Sequence, residues 1–80
     1  MNITVYSTET CPWCIKVKEY LRENKISFNE KDINLDRNAA IEMMSKSGQG
    51  GVPVLDIDGK IIVGFDKENI DKVLSLSSES

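Results

Sequence analysis

The chain has no histidine and only two cysteines, and both cysteines fall in one four-residue window. A disulfide-rich secreted framework needs several cysteines spread along the chain, so that class is excluded. A bridge between these two would close a tiny loop and stabilise little. Structural zinc needs four ligands, and two cysteines without histidine fall short unless a second chain or an external ligand supplies the rest. Glycine and proline are sparse and 40% of the residues are hydrophobic, which sets aside disordered and fibrous classes. No apolar run approaches the roughly 20 residues that span a bilayer. The N-terminus has no charged segment followed by a long apolar stretch, so it does not read as a signal peptide, and a cytoplasmic location is expected. Basic charge is not in excess either. With 10 basic and 13 acidic residues the net charge is −3, which argues against nucleic acid as a partner.

What remains is a soluble chain of 80 residues, room for one domain spanning 1–80. Ile3-Thr4-Val5-Tyr6 is β-branched and aromatic and reads as a strand. Ser7 to Thr10 is a polar loop, with Thr10 placed as a helix N-cap. From Pro12 the period becomes helical: Cys14, Val17, Tyr20 and Leu21 share one face, and the helix should end near Asn24. Ser27 to Ile33 reads as a second strand. Asn34 and Asp36 can open a second helix, with Ala40, Met43 and Met44 as its apolar face and Gly48 as its stop. Val52 to Ile57 is a third strand, Asp58-Gly59 a two-residue hairpin turn, and Lys60 to Val63 the antiparallel partner. Gly64-Phe65-Asp66 breaks the pattern before a last helix that buries Ile70, Val73 and Leu74. Residues 75–80 are expected to fray. The order β-α-β-α-β-β-α implies a parallel pair extended by an antiparallel hairpin, a four-stranded mixed sheet flanked by helices in an α/β architecture.

The chemistry-bearing feature is Cys11-Pro12-Trp13-Cys14 at the junction of the first strand and first helix. In a βαβ context this spacing reads as a redox motif. Disulfide exchange needs a thiolate, and an ordinary cysteine with a pKa of about 8.5 is mostly protonated at neutral pH. Unpaired N–H groups and the positive end of a helix dipole favour the thiolate. Cys11 stands at that helix start and is assigned as nucleophile, with Cys14, one turn on and facing inward, as resolving thiol. Pro12 suits the first helical turn and stiffens the loop. Trp13 is expected to be exposed beside Cys11. Lys18, one turn beyond Cys14, is either a solvated helix residue or a source of positive potential. Met43 and Met44 read as helix packing.

Three separated patches make the chain resemble glutaredoxins, across essentially its whole length. Thr10-Cys11-Pro12-Trp13-Cys14 is similar to the family's active-site motif, with Trp13 where Tyr is usual. Val52-Pro53 resembles the family's Thr-Val-Pro, with Gly51 for Thr, and Gly64-Phe65-Asp66 resembles its Gly-Gly-x-Asp turn. The resemblance implies a thioredoxin-like fold and a cis Val52-Pro53 bond beside Cys11. It further implies that the Val52 backbone pairs with an extended substrate or glutathione. The N–H groups near Phe65 and Asp66 would then receive a glutathione carboxylate. Two departures bear against glutathione: Thr8 stands where many glutathione-using members have Lys, and Lys67 where a second Asp often stands.

The function so implied is a monomeric dithiol oxidoreductase acting on protein and glutathione-mixed disulfides. Glutathione is its co-substrate, and no bound cofactor or metal is needed. A second reading within the same chemistry follows from a likeness to short bacterial glutaredoxin-like proteins: an electron donor, for example to ribonucleotide reductase, recharged by thioredoxin reductase. A reading of another class is a dimer carrying a [2Fe–2S] cluster between Cys11 of each chain and two glutathiones. A third is a redox-inert binding module.

Overall fold

The structure, a computed structural model, describes residues 2–74, so the expected fraying of 75–80 lies outside the described residues. Seven elements follow in order: β1 (Ile3–Ser7), α1 (Pro12–Glu23), β2 (Asn29–Asp32), α2 (Arg37–Ser47), β3 (Val54–Ile57), β4 (Lys60–Val63) and α3 (Lys67–Leu74). The strands form one mixed sheet in the order β2-β1-β3-β4. β1 runs parallel to β2, and β3 runs antiparallel to both β1 and β4. The expected element order and mixed sheet are both present. Among the described residues no helix is long and apolar enough to cross a membrane.

β1 lies inside the sheet and is buried on both faces. Ile3 and Val5 point towards a core made with Leu55, Ile57 and Ile62 of the hairpin, Val17 and Leu21 of α1 and Ile70 of α3. Tyr6 points the other way, against Val54 and against Ala39 and Met43 of α2. The period-2 alternation of a strand therefore divides the helices between the two faces. Val73 and Leu74 are half-buried against the first core.

Helix ends follow local chemistry. α1 stops where Lys25 takes a left-handed φ of 59°, while the Ile26 and Lys25 N–H groups return to the Leu21 and Arg22 carbonyls at 2.9 Å. The Asp36 side chain accepts the Ala39 N–H at 3.2 Å and opens α2, which closes on Gly48 at φ 72°. Asp58 and Gly59, at φ 51° and 93°, make the expected hairpin turn.

Three expectations need correction. The second strand is limited to Asn29–Asp32 rather than 27–33, because the register pairs these four with Thr4–Ser7 and Ile33 adds only its N–H, to the Ser7 carbonyl at 3.0 Å. The third strand begins at Val54 rather than Val52. Pro53 has no N–H for the ladder, and Val52-Pro53 is cis. The buried face of α2 is Ala39 and Met43, an i, i+4 pair, whereas Ala40 is half-buried and Met44 is 54% exposed. Capping by Asp36 sets the helix phase, and in that phase Met44 lies a quarter-turn away from Tyr6. Met43→Ala is therefore expected to lower unfolding free energy by about 2–5 kcal/mol. Met44→Ala should stay within about 0.5 kcal/mol of the parent. Urea unfolding of the two variants decides the face, and equal losses would put the corrected packing aside.

Candidate active site

The chain leaves β1 at Ser7, turns through Glu9-Thr10 and enters α1 at Pro12. Proline at the first helical position makes the residue before it the N-cap. That residue is Cys11, with φ −90° and ψ 111°, and its sulfur accepts the Cys14 N–H at 3.2 Å. Thr10 is exposed and does not cap the helix, contrary to expectation. The cap position needs an acceptor three residues before the bonded N–H, and only the Cys11 side chain meets that spacing.

The two thiols occupy different surroundings. Cys11 is part-exposed, whereas Cys14 is buried. Burial, reinforced by the hydrogen bond with Cys11, pushes the Cys14 thiol up to about 11; the Thr8 backbone and Lys18 pull the other way. Trp13 is 57% exposed, as expected, and the Lys16 ammonium lies 5.7 Å from its ring centroid.

The other two sequence patches meet this helix start. Cys11 Sγ lies 3.9 Å from the Val52 carbonyl oxygen. The Gly64 N–H donates to the Pro53 carbonyl at 2.8 Å, which locks the Val52-Pro53 segment to the Gly64 turn. Gly64 has φ 81°, a left-handed value that favours glycine. Phe65 then packs 6.3 Å from Trp13 and 5.6 Å from Tyr20, centroid to centroid. The Asp66 carboxylate accepts from the Asn69 N–H at 3.3 Å and from Asn69 Nδ2 at 2.7 Å, so its side chain serves the start of α3. Cys11, Pro12, Trp13, Cys14, Val52, Pro53, Gly64 and Phe65 thus share one end of the sheet. Thr10 and the Asp66 side chain stand at the margin.

Several neighbours were not legible in the sequence. Tyr20 Oη donates to Asp71, which also binds Lys67 at 3.2 Å, tying α1 to α3 beside Phe65. The bond holds the Asp71 carboxyl below its usual range and raises the Tyr20 hydroxyl. Tyr20 reads as a core residue from its helical period, and nothing local links it to Asp71. Only the Lys67–Asp71 spacing at i, i+4 is a sequence signal. A shallow depression of about 190 Å³ beside Phe65 is lined by Lys16, Glu19, Tyr20 and Glu23. The larger depression, about 480 Å³, includes Asn2, Thr4 and Asn29 and lies towards the start of β1, away from the cysteines. The cysteine chemistry, not cavity size, locates the candidate site.

Comparison with known proteins agrees with this arrangement. The glutaredoxin family model matches residues 3–62. The chain is 53% identical to an uncharacterized glutaredoxin-like 8.6 kDa protein in the rubredoxin operon of Clostridium pasteurianum, over 90% of this chain and 96% of that one. It is 40% identical to glutaredoxin 3 of Escherichia coli, over 81% and 78% of the two chains. It is 35% identical to the glutaredoxin-like protein NrdH of Lactococcus lactis, over 89% and 97%. A crystal structure of a thioredoxin-like protein superposes with a TM-score of 0.85 at 30% identity, covering 90% of this chain and 99% of that one. The three patches, their convergence at one sheet end and these matches together mean that the chain belongs to the glutaredoxin family, as a glutaredoxin-like redox protein with a thioredoxin-like fold.

Proposed function

We propose that this protein is a cytoplasmic dithiol thiol–disulfide oxidoreductase, with Cys11 as nucleophile and Cys14 as resolving thiol. The observation that carries the reading is the asymmetry of the pair. Cys11 is accessible and takes an N–H at a helix start, whereas Cys14 is buried one turn on and held protonated. In the forward half-reaction the Cys11 thiolate attacks a substrate disulfide, one substrate thiolate leaves, and a mixed disulfide forms. Cys14 then attacks Cys11, the second substrate thiol leaves with a proton, and the Cys11–Cys14 disulfide remains. Two electrons from an external thiol donor restore the pair.

Protein disulfides and glutathione-mixed disulfides are the proposed substrates, with glutathione as co-substrate and no bound cofactor. The Val52 backbone would pair with the extended substrate, next to Cys11 Sγ. The Gly64-Phe65-Asp66 turn would take a glutathione carboxylate at its N–H groups. A second reading, recharging by thioredoxin reductase and donation to ribonucleotide reductase, is favoured by two observations. The Lactococcus lactis NrdH relative matches over 97% of its length. Lys67, where many glutathione users have Asp, is held on Asp71.

Cys11→Ser is expected to abolish disulfide exchange. Cys14→Ser should accumulate mixed disulfides detectable by intact mass. Exchange retained by the Cys11 variant overturns the assignment. In the folded, reduced protein at neutral pH, iodoacetamide should label Cys11 alone, and Cys14 only after denaturation. Early labelling of Cys14 contradicts its role as the protected thiol.

The donor is decided by turnover of a glutathione-mixed disulfide with NADPH, glutathione and glutathione reductase, against the same assay with thioredoxin reductase. Turnover with glutathione supports the glutathione reading. Turnover only with thioredoxin reductase replaces it with the second.

A further inference from the structure

Lys18 follows Cys14 by one helical turn, and its side chain is only 12% exposed. Side chains on a helix lean back towards its N-terminus, over the residue four positions earlier. The Lys18 stem therefore runs along the Cys14 side of α1. Its ammonium is fixed by Glu30 Oε2 at 2.6 Å, while Arg22 stands 4.0 Å from the other carboxylate oxygen. Glu30 sits opposite Val5 in the β1–β2 register, and Val5 faces the core that α1 covers. A strand outside the cysteine loop thus anchors a cation against the helix that carries the buried thiol.

We propose that Lys18, held by Glu30, is a positioning residue for the resolving step, favouring the Cys14 thiolate that attacks Cys11. The inference rests on the dithiol reading above and assigns this pair to Cys14, not to the nucleophile. In the reduced protein Cys11 opposes ionisation of Cys14 both through its hydrogen bond and through its charge. Once Cys11 is in a mixed disulfide its sulfur is neutral and both effects vanish. Burial then stands against two stabilising influences, the Thr8 backbone and the Lys18 cation.

The other groups around Cys14 fit this account. The loop after β1 contributes the Thr8 backbone, β2 contributes Glu30 through its pair with Lys18, and Val52-Pro53 is uncharged. Asp66 is occupied by Asn69. The step balances as Cys14 thiol plus Cys11 mixed disulfide giving the Cys11–Cys14 disulfide plus free substrate thiol, the proton leaving with that thiol.

The size of the effect follows from two opposed trends. Each unit by which the thiol pKa rises cuts the thiolate about tenfold below that pKa, while its greater nucleophilicity returns about threefold, so resolution slows about threefold per unit.

The test uses the full chain and the aromatic disulfide 5,5′-dithiobis(2-nitrobenzoate), followed by stopped-flow absorbance from pH 5 to 9. Attack by Cys11 releases the first nitrothiolate, and resolution by Cys14 releases the second. Lys18→Met is expected to leave the first phase within about twofold, to slow the second at pH 7, and to displace its pH profile upward, with about threefold slowing for each unit of displacement. Lys18→Arg should restore the parent profile. Glu30→Gln should move the second phase in the same direction by less. Far-ultraviolet circular dichroism of each variant, matched to the parent, shows that it is folded.

An unshifted second-phase profile in Lys18→Met overturns the proposal, as does an equal shift of both phases. A Glu30→Gln profile that does not move upward overturns the part assigned to Glu30. Failure of the dithiol reading looks different: the parent protein itself would release only one equivalent.

Discussion

The bond from the Cys14 N–H to the Cys11 sulfur makes one atom both the helix cap and the accessible thiol of the pair. A thiol is a weaker hydrogen-bond acceptor than the oxygens that usually cap helices, so α1 gains little stability from its own start. The helix is secured elsewhere. Cys14, Val17 and Leu21 are buried along its length, and the return bonds at Lys25 and Ile26 close its end. Stability from packing leaves the first turn free to hold a thiol in place of a better capping side chain. Tyr20 and its bond to Asp71 then fix α1 against α3, which carries the Phe65 turn at its start.

The convergence of three distant patches is a consequence of sheet order. Tyr6 pairs with Val54, and Val54 pairs with Val63. The residues just after β1, just before β3 and just after β4 must therefore emerge at the same end. Those residues are Cys11, Val52-Pro53 and Gly64. The Gly64 N–H to Pro53 carbonyl bond then closes the last gap without any side chain. Backbone groups do most of the local construction here, so the patches tolerate changes such as Trp13 or Gly51 without loss of the architecture.

Features set by neighbouring residues were legible in the sequence. Asp58-Gly59, Gly48 and the limits of β4 follow from turn and cap chemistry within a few positions. The misreadings have the same origin viewed from the other side. Thr10 is a better capping residue than cysteine by type, yet Pro12 fixes the cap at Cys11. Met44 is as apolar as Met43, and only the helix phase relative to Tyr6 separates them. β2 has the weakest apolar pattern of the strands, and its limits come from pairing with β1. Tyr20–Asp71 and Lys18–Glu30 join distant parts of the chain and leave no periodic trace.

The two open donors differ in which part of the site they would use. The backbone recognition proposed for Val52 and the Gly64 turn would suit any extended thiol substrate, because it would read no side chain. Discrimination must come from the rim, where Trp13 is exposed and Phe65 and Tyr20 continue the apolar surface. A small, charged tripeptide gains little from such a ridge, whereas a protein surface can cover it and bury apolar area. Lys67 sharpens the contrast. Its ammonium is turned onto Asp71 and the Tyr20 ring, 5.3 Å from the ring centroid. A carboxylate at that position, as in many glutathione users, would instead meet Asp71 as a like charge and be pushed towards the turn. Lys67 therefore completes, with Tyr20 and Asp71, the packing of the surface beside Phe65.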